Sequence, residues 1–287
     1  QTTGTLSAAN YNTGIGLTAL DALTTGDQNT AVGRSALTSN TSGQGNIAVG
    51  TLALGTNVSG NENTAFGYQA LGYNTEGNYN TAVGRSSLLN NTEGDLNIGM
   101  GLNSLYTNTT GNYNIALGVS SLYSNTTGTR NIAIGNYANG DADTENDNLA
   151  IGYDALGGSI NGGEFNIAIG NYSLDANTTG DYNLGIGHNA LTANTTGLSN
   201  IALGYSTLNS NVSGDRNIAI GTSSLLSNTT GNWNVALGYH SLTANTTASS
   251  NTAVGYNSLK TNTTGTLNVA LGRDALIYNT TGSNNTA

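Results

Sequence analysis

The chain has 287 residues with 41 Gly, no Pro and no Cys, and only 8% of them are charged, against about 25% in an average soluble protein. The formal net charge is −10, and the six Lys and Arg are scattered, so no basic patch is present to neutralise nucleic-acid phosphates. Disulfides and thiolate metal sites are excluded by the lack of Cys, and no apolar run reaches the roughly 18 residues of a membrane-spanning helix.

Residues 1–11 read as an N-terminal cap or connection. A repeat begins at Asn12 and returns at intervals of 17 to Asn148, then after one interval of 18 at Asn166, and again every 17 residues to Asn285. Counting that Asn as the first position, the consensus is N-[IT]-A-[VIL]-G-x-x-[AS]-L-x-x-N-T-T-G-x-x. Seventeen residues are too few for a two-helix repeat. Each unit is also crowded with Gly, Asn and β-branched residues, all poor helix formers. The fold class that follows is all-β: a continuous parallel β-solenoid, or β-roll, over 12–287, of about 16 coils. Each coil is expected to carry two short strands, "NIAIG"-like and "SSLYS"-like, joined by two turns. At about 4.8 Å per coil the stack would reach on the order of 80 Å.

Strand alternation assigns faces. The large residue at the fourth position (Ile15, Val32, Val49 and onward) and the Leu at the ninth are expected in the core. Ala at the third and Gly at the fifth then share a flat outer face, represented by Ala48, Gly50, Ala116, Gly118, Ala133, Gly135, Ala202 and Gly204. Such a surface admits close approach of another backbone, and so predicts a homo-oligomer, with a trimer as the expected form.

The tetrapeptide "NTTG" has three readings: a glycosylation sequon, a Thr surface that orders ice, or a corner. Asn at every coil would stack too closely for a glycan on each. The corner reading makes Asn108, Asn125, Asn177, Asn194, Asn228 and Asn262 an amide ladder, with Gly supplying a positive φ. Ala248 replaces that Gly once, so its corner should be altered. The Thr row at Thr109, Thr126, Thr178 and Thr195 keeps an ice-binding solenoid as an alternative, weakened by Val58 and Val212 in the same row.

The repeat is irregular over 136–165. Asn139 there replaces the core Leu, and Asp141, Asp143, Glu145 and Asp147 alternate as hard oxygen ligands would in a calcium loop, with Glu164 in the next coil. The loop lacks the usual Gly and closing acid, so a solvated polar bulge is the competing reading; no other cofactor is expected. His188 and His240 have no acid or nucleophile at fixed spacing, which argues against an enzyme. Tyr79, Tyr113, Tyr182 and Trp233 form one interrupted aromatic row, and Tyr205, Tyr239 and Tyr256 another. These are either a carbohydrate- or protein-binding strip or packing between coils.

The pattern N-I-A-I-G-x-x-S-L-x-x-N resembles the head repeats of YadA-like trimeric autotransporter adhesins. The stretch "NTAVGYNSLKTNTTG" from Asn251 to Gly265 is similar to repeats in phage tail-fibre shafts. The resemblance covers residues 12–287. It implies a left-handed parallel β-roll, three chains around one axis, and a shaft or head at a cell or virion surface that attaches to a receptor which the repeats leave unspecified. A coiled-coil stalk and a β-barrel anchor have no counterpart in these residues, and the chain stops in mid-strand at "NNTA". End-to-end stacking into an extracellular filament is therefore an alternative expectation.

Overall fold

The computed structural model describes residues 9–158 and 162–287. Most of the expected cap at 1–11, and residues 159–161 of the irregular stretch, lie outside the described residues. The chain divides into two compact units, Gln1–Asn146 and Asp147–Ala287. Both are parallel β-solenoids. The first carries eight strands, β1 (Thr13–Ile15) to β8 (Ile132–Ile134), and the second carries eight more, β9 (Leu149–Ile151) to β16 (Val269–Leu271). No helix occurs among the described residues, so none could cross a membrane. Within a unit each strand pairs in parallel with the next in strict register, as in Ile98↔Ile115, Gly99↔Ala116 and Met100↔Leu117.

Each coil has one three-residue strand, not two. The second expected strand is a run of turns, because its residues alternate into the left-handed region: Ser120 has φ 52° and Leu122 has φ 48°. Coil-to-coil bonds persist there, one residue at a time, as in Leu105 N–H to the Ser121 carbonyl at 3.0 Å. Left-handed non-glycine residues recur at the seventeenth, seventh and ninth positions of every regular coil. Such geometry is strained by about 1–2 kcal/mol per residue and persists only where neighbours over-determine it.

The alternation is real, but its phase is the reverse of the one expected. Ala48, Ala116, Ala133 and Ala202 are fully buried, and the fourth-position side chains point outward, with Phe66 57% and Ile220 41% exposed. The reason is width. A 17-residue coil holds one large apolar side chain, the ninth-position Leu (Leu37, Leu105, Leu208), and opposite it there is room only for Ala. Gly50, Gly118 and Gly204 are likewise closed off from within the chain, and Gly135 supplies the carbonyl that closes off Gly118. A Cβ on Gly33 would sit 2.5 Å from the Gly50 carbonyl oxygen, and Gly33 has φ +139°. The backbone that approaches this Gly column closely is therefore the next coil of the same chain.

The rest of the interior is amide. Asn97 Oδ1 accepts the Asn114 backbone N–H at 2.9 Å, and Asn97 Nδ2 donates to the Gly111 carbonyl at 2.8 Å. Asn108 Nδ2 donates to that same carbonyl at 3.0 Å and to Asn91 Oδ1 at 2.7 Å. Two amide ladders thus meet on one carbonyl oxygen and occupy both of its lone pairs. The second unit repeats this: Gly214 accepts from Asn200 at 2.8 Å and from Asn211 at 2.9 Å. A buried polar group without a partner would cost about 1–3 kcal/mol, so a polar core of this kind is stable only when fully paired.

Candidate functional site

The corner Asn residues belong to the interior. Asn108, Asn125, Asn177, Asn194, Asn228 and Asn262 are fully buried, which removes them from glycosylation in the folded chain. Asn125 donates to Asn108 Oδ1 at 2.8 Å, Asn194 to Asn177 at 3.0 Å, and Asn228 to Asn211 at 2.9 Å. The corner Gly does not adopt a positive φ, contrary to the sequence expectation. It is required because a Cβ would meet the Asn pair: at Gly60 it would lie 2.5 Å from Asn57 Oδ1 and 2.8 Å from Asn74 Nδ2. Ala248 displays the consequence, since the adjoining rung from Asn262 to Asn245 stretches to 3.3 Å.

The Thr row is also committed to the fold. Thr109 Oγ1 donates to the Thr126 carbonyl at 3.0 Å, and Thr178 Oγ1 to the Thr195 carbonyl at 2.9 Å. Each of these hydroxyls gives its proton to the carbonyl of the next coil.

The acidic stretch does not gather around a point. Glu145 is buried, and its Oε2 accepts the Asp143 and Thr144 N–H groups at 2.8 and 3.0 Å. Asp141 and Asp143 are exposed, and Asp143 Oδ1 accepts from the Thr126 hydroxyl. Among the described residues no group of three or more acidic or His side chains is placed to hold a metal ion. Glu145 occupies a Gly position because Ala142 replaces the corner Asn that its Cβ would strike. The exchange orphans the Asn125 Oδ1, and the Asn139 amide in the Leu column is buried with neither polar atom paired.

The two His residues are set among aromatic rings. His188 stacks on Tyr205 (5.6 Å, 15°), and Tyr172 meets it edge-on. Burial, and then Lys260, lower the His240 pKa below the usual imidazole range; His240 Nδ1 lies 3.2 Å from the Thr243 hydroxyl. Further stacks join Tyr239 to Tyr256 and Phe165 to Tyr182, and Arg216 covers Trp233 at 4.7 Å. In each of these pairs one ring face packs against its neighbour.

Tyr79 and Tyr113 are exposed, and two further surfaces stand open. The first is the outer face of each sheet, made of the second- and fourth-position side chains. In the first unit it runs through Val49, Phe66, Val83, Met100, Leu117 and Ile134; in the second unit it is aliphatic throughout except for Thr252. With two outward side chains on each of eight strands, every unit presents on the order of 1,000 Å² of mainly apolar surface, beyond the few hundred Å² usual on a monomer. The second is a pair of shallow cavities on the first unit, of about 280 and 370 Å³, which share Gln69 in their walls. Sequence reasoning missed both. The signal for the first was the phase of the alternation. For the second it was Gly55 and Gly72 at the tenth position, where neighbouring coils carry Thr, Leu or Tyr. Comparison with known protein families and with curated proteins gave no match, so the functional reading rests on these surfaces.

Proposed function

We propose that the chain is a structural solenoid that associates with copies of itself through the outer face of its sheets, as a homotrimer, and serves as the shaft or head of an extracellular attachment fibre. One observation carries this reading: in each unit the outer sheet face is mainly apolar and, among the described residues, partly or fully open to solvent. A stable interface takes about 800 Å² per partner, and each face offers enough. Association through it leaves the turns and their variable residues outside, where an attachment role needs them. The reading assigns no catalysis. It keeps the oligomer expected from the sequence but moves the interface from the Ala/Gly column to the aliphatic columns on either side of it.

Cysteine cross-linking tests it, since the chain has no Cys of its own. Leu117→Cys, on the sheet face, should form an inter-chain disulfide on mild oxidation, whereas Thr127→Cys, on an exposed corner, should not. Equal cross-linking of the two variants, or none in either, would refute the proposed interface.

A further inference from the structure

We infer that the twin cavities of the first unit form one binding groove for an extended, neutral oligosaccharide. The groove runs along the seventh, tenth and eleventh positions, off the sheet face, so it stands whether or not the chain associates. Gly55 and Gly72 stand in its wall at the tenth position, where the flanking coils carry Thr38 and Leu89, and the Leu89 side chain leans towards Gly72. Its first part is lined mainly by carbon, with Leu52 and Tyr73; its second part is polar, with Arg85, Ser86 and Asn103. Gln69 belongs to both and joins them.

What marks the groove as a site is that its chemistry is unspent. Tyr73 is 48% exposed, and its column neighbours are Thr56 and Asn90, so no ring or guanidinium covers either of its faces. This differs from Tyr106 and Tyr123 at the far end, which stack on each other at 5.1 Å. The side chains of Gln69 and Asn103 make no hydrogen bond within the fold, although most other Asn of the repeat do. With Ser86 between them, they stand on successive coils, all left-handed (φ 55°, 55° and 56°), as a row of donors and acceptors spaced by the coil rise of about 4.8 Å. That rise is close to the length of one pyranose residue. An open aromatic face for the apolar side of a sugar, planar amides and a hydroxyl for its hydroxyl groups, and a groove as long as several coils together match a polysaccharide chain. Arg85, held 5.8 Å above the Tyr68 ring, is the one charged group in the walls and supplies further donors. A single cation is not the row of charges that a polyanion would need, and the chain as a whole carries a net charge of −10, so the groove favours a neutral chain over a polyanion.

The test is affinity electrophoresis of the full chain through native gels containing a neutral glucan, xylan or mannan. Isothermal titration with the hexasaccharide of any polysaccharide that retards it would follow. Retardation by at least one polysaccharide is expected. Tyr73→Ala should weaken hexasaccharide binding at least tenfold, and Gly55→Leu, which fills the groove at a residue without left-handed strain, should abolish it. Tyr205→Ala, in the mutually stacked row of the second unit, should bind as the unsubstituted chain does, with all variants keeping the same circular dichroism. No retardation in any gel would overturn the inference. So would equal loss in Tyr205→Ala and Tyr73→Ala, or retardation only by an anionic polysaccharide that Gly55→Leu leaves unchanged.

Discussion

Glycine in this repeat does two different jobs. At the fifth position both φ and the next coil's carbonyl forbid a side chain, as at Gly33. At the fifteenth position φ is ordinary, and the obstacle is the amide rung. Ala248 is tolerated there at the expense of a stretched bond. Ala248→Gly should therefore restore the rung and raise stability by about 1 kcal/mol, read from chemical denaturation. Asp175 is a second residue-scale case. Burial, and then Asp154, raise its pKa above the ordinary carboxylate value. The native state then holds this proton more tightly than the unfolded chain, so the contribution is full at acid pH and lost as pH rises through the native pKa. Asp175→Asn should increase the melting temperature at pH 7 and leave it unchanged near pH 3; an equal shift at both pH values would show that the charge is not the cause.

The coil is the element, and what a coil tolerates is set by its neighbours. Gly99 at the third position leaves space that the Ser87 hydroxyl uses, donating to the Gly99 carbonyl at 2.8 Å; Ser173 and Gly185 repeat the pairing at 2.9 Å. The coil from Asn131 to Asp147 breaks the rule most, placing an unpaired amide at Asn139 where Leu belongs and Ala142 where the rung needs Asn. The double change Asn139→Leu with Ala142→Asn should return the Leu column but crowd Glu145, whose Cβ would then strike the new amide. Adding Glu145→Gly should relieve that. The triple variant is expected to gain about 2–4 kcal/mol over the natural chain, with the double variant in between, measured by denaturant melts.

Much of this was legible from the sequence. The period, the parallel stack and the ninth-position Leu follow from spacing and composition, because a strict repeat must bury the same residue each time. The corner Asn as a ladder former could be read from its recurrence. The phase of the strand could not: Ile and Val look like core, and only the width of the coil, fixed by two amide columns that also claim the interior, turns them out and leaves Ala inside. For the four acids, the sequence shows the spacing but not that Glu145 turns inward, where its carboxylate accepts the Asp143 and Thr144 N–H groups.

At the scale of the whole molecule, both units carry the same feature, a mainly apolar sheet face open to water, which the proposed homotrimer would cover in both. Sedimentation equilibrium of the full chain tests this most directly. The account predicts three times the 29.0 kDa chain mass, falling to the single-chain mass with unchanged circular dichroism when Phe66→Lys and Ile220→Lys place a charge on each face. A single-chain mass for the unsubstituted protein across the micromolar range would contradict it.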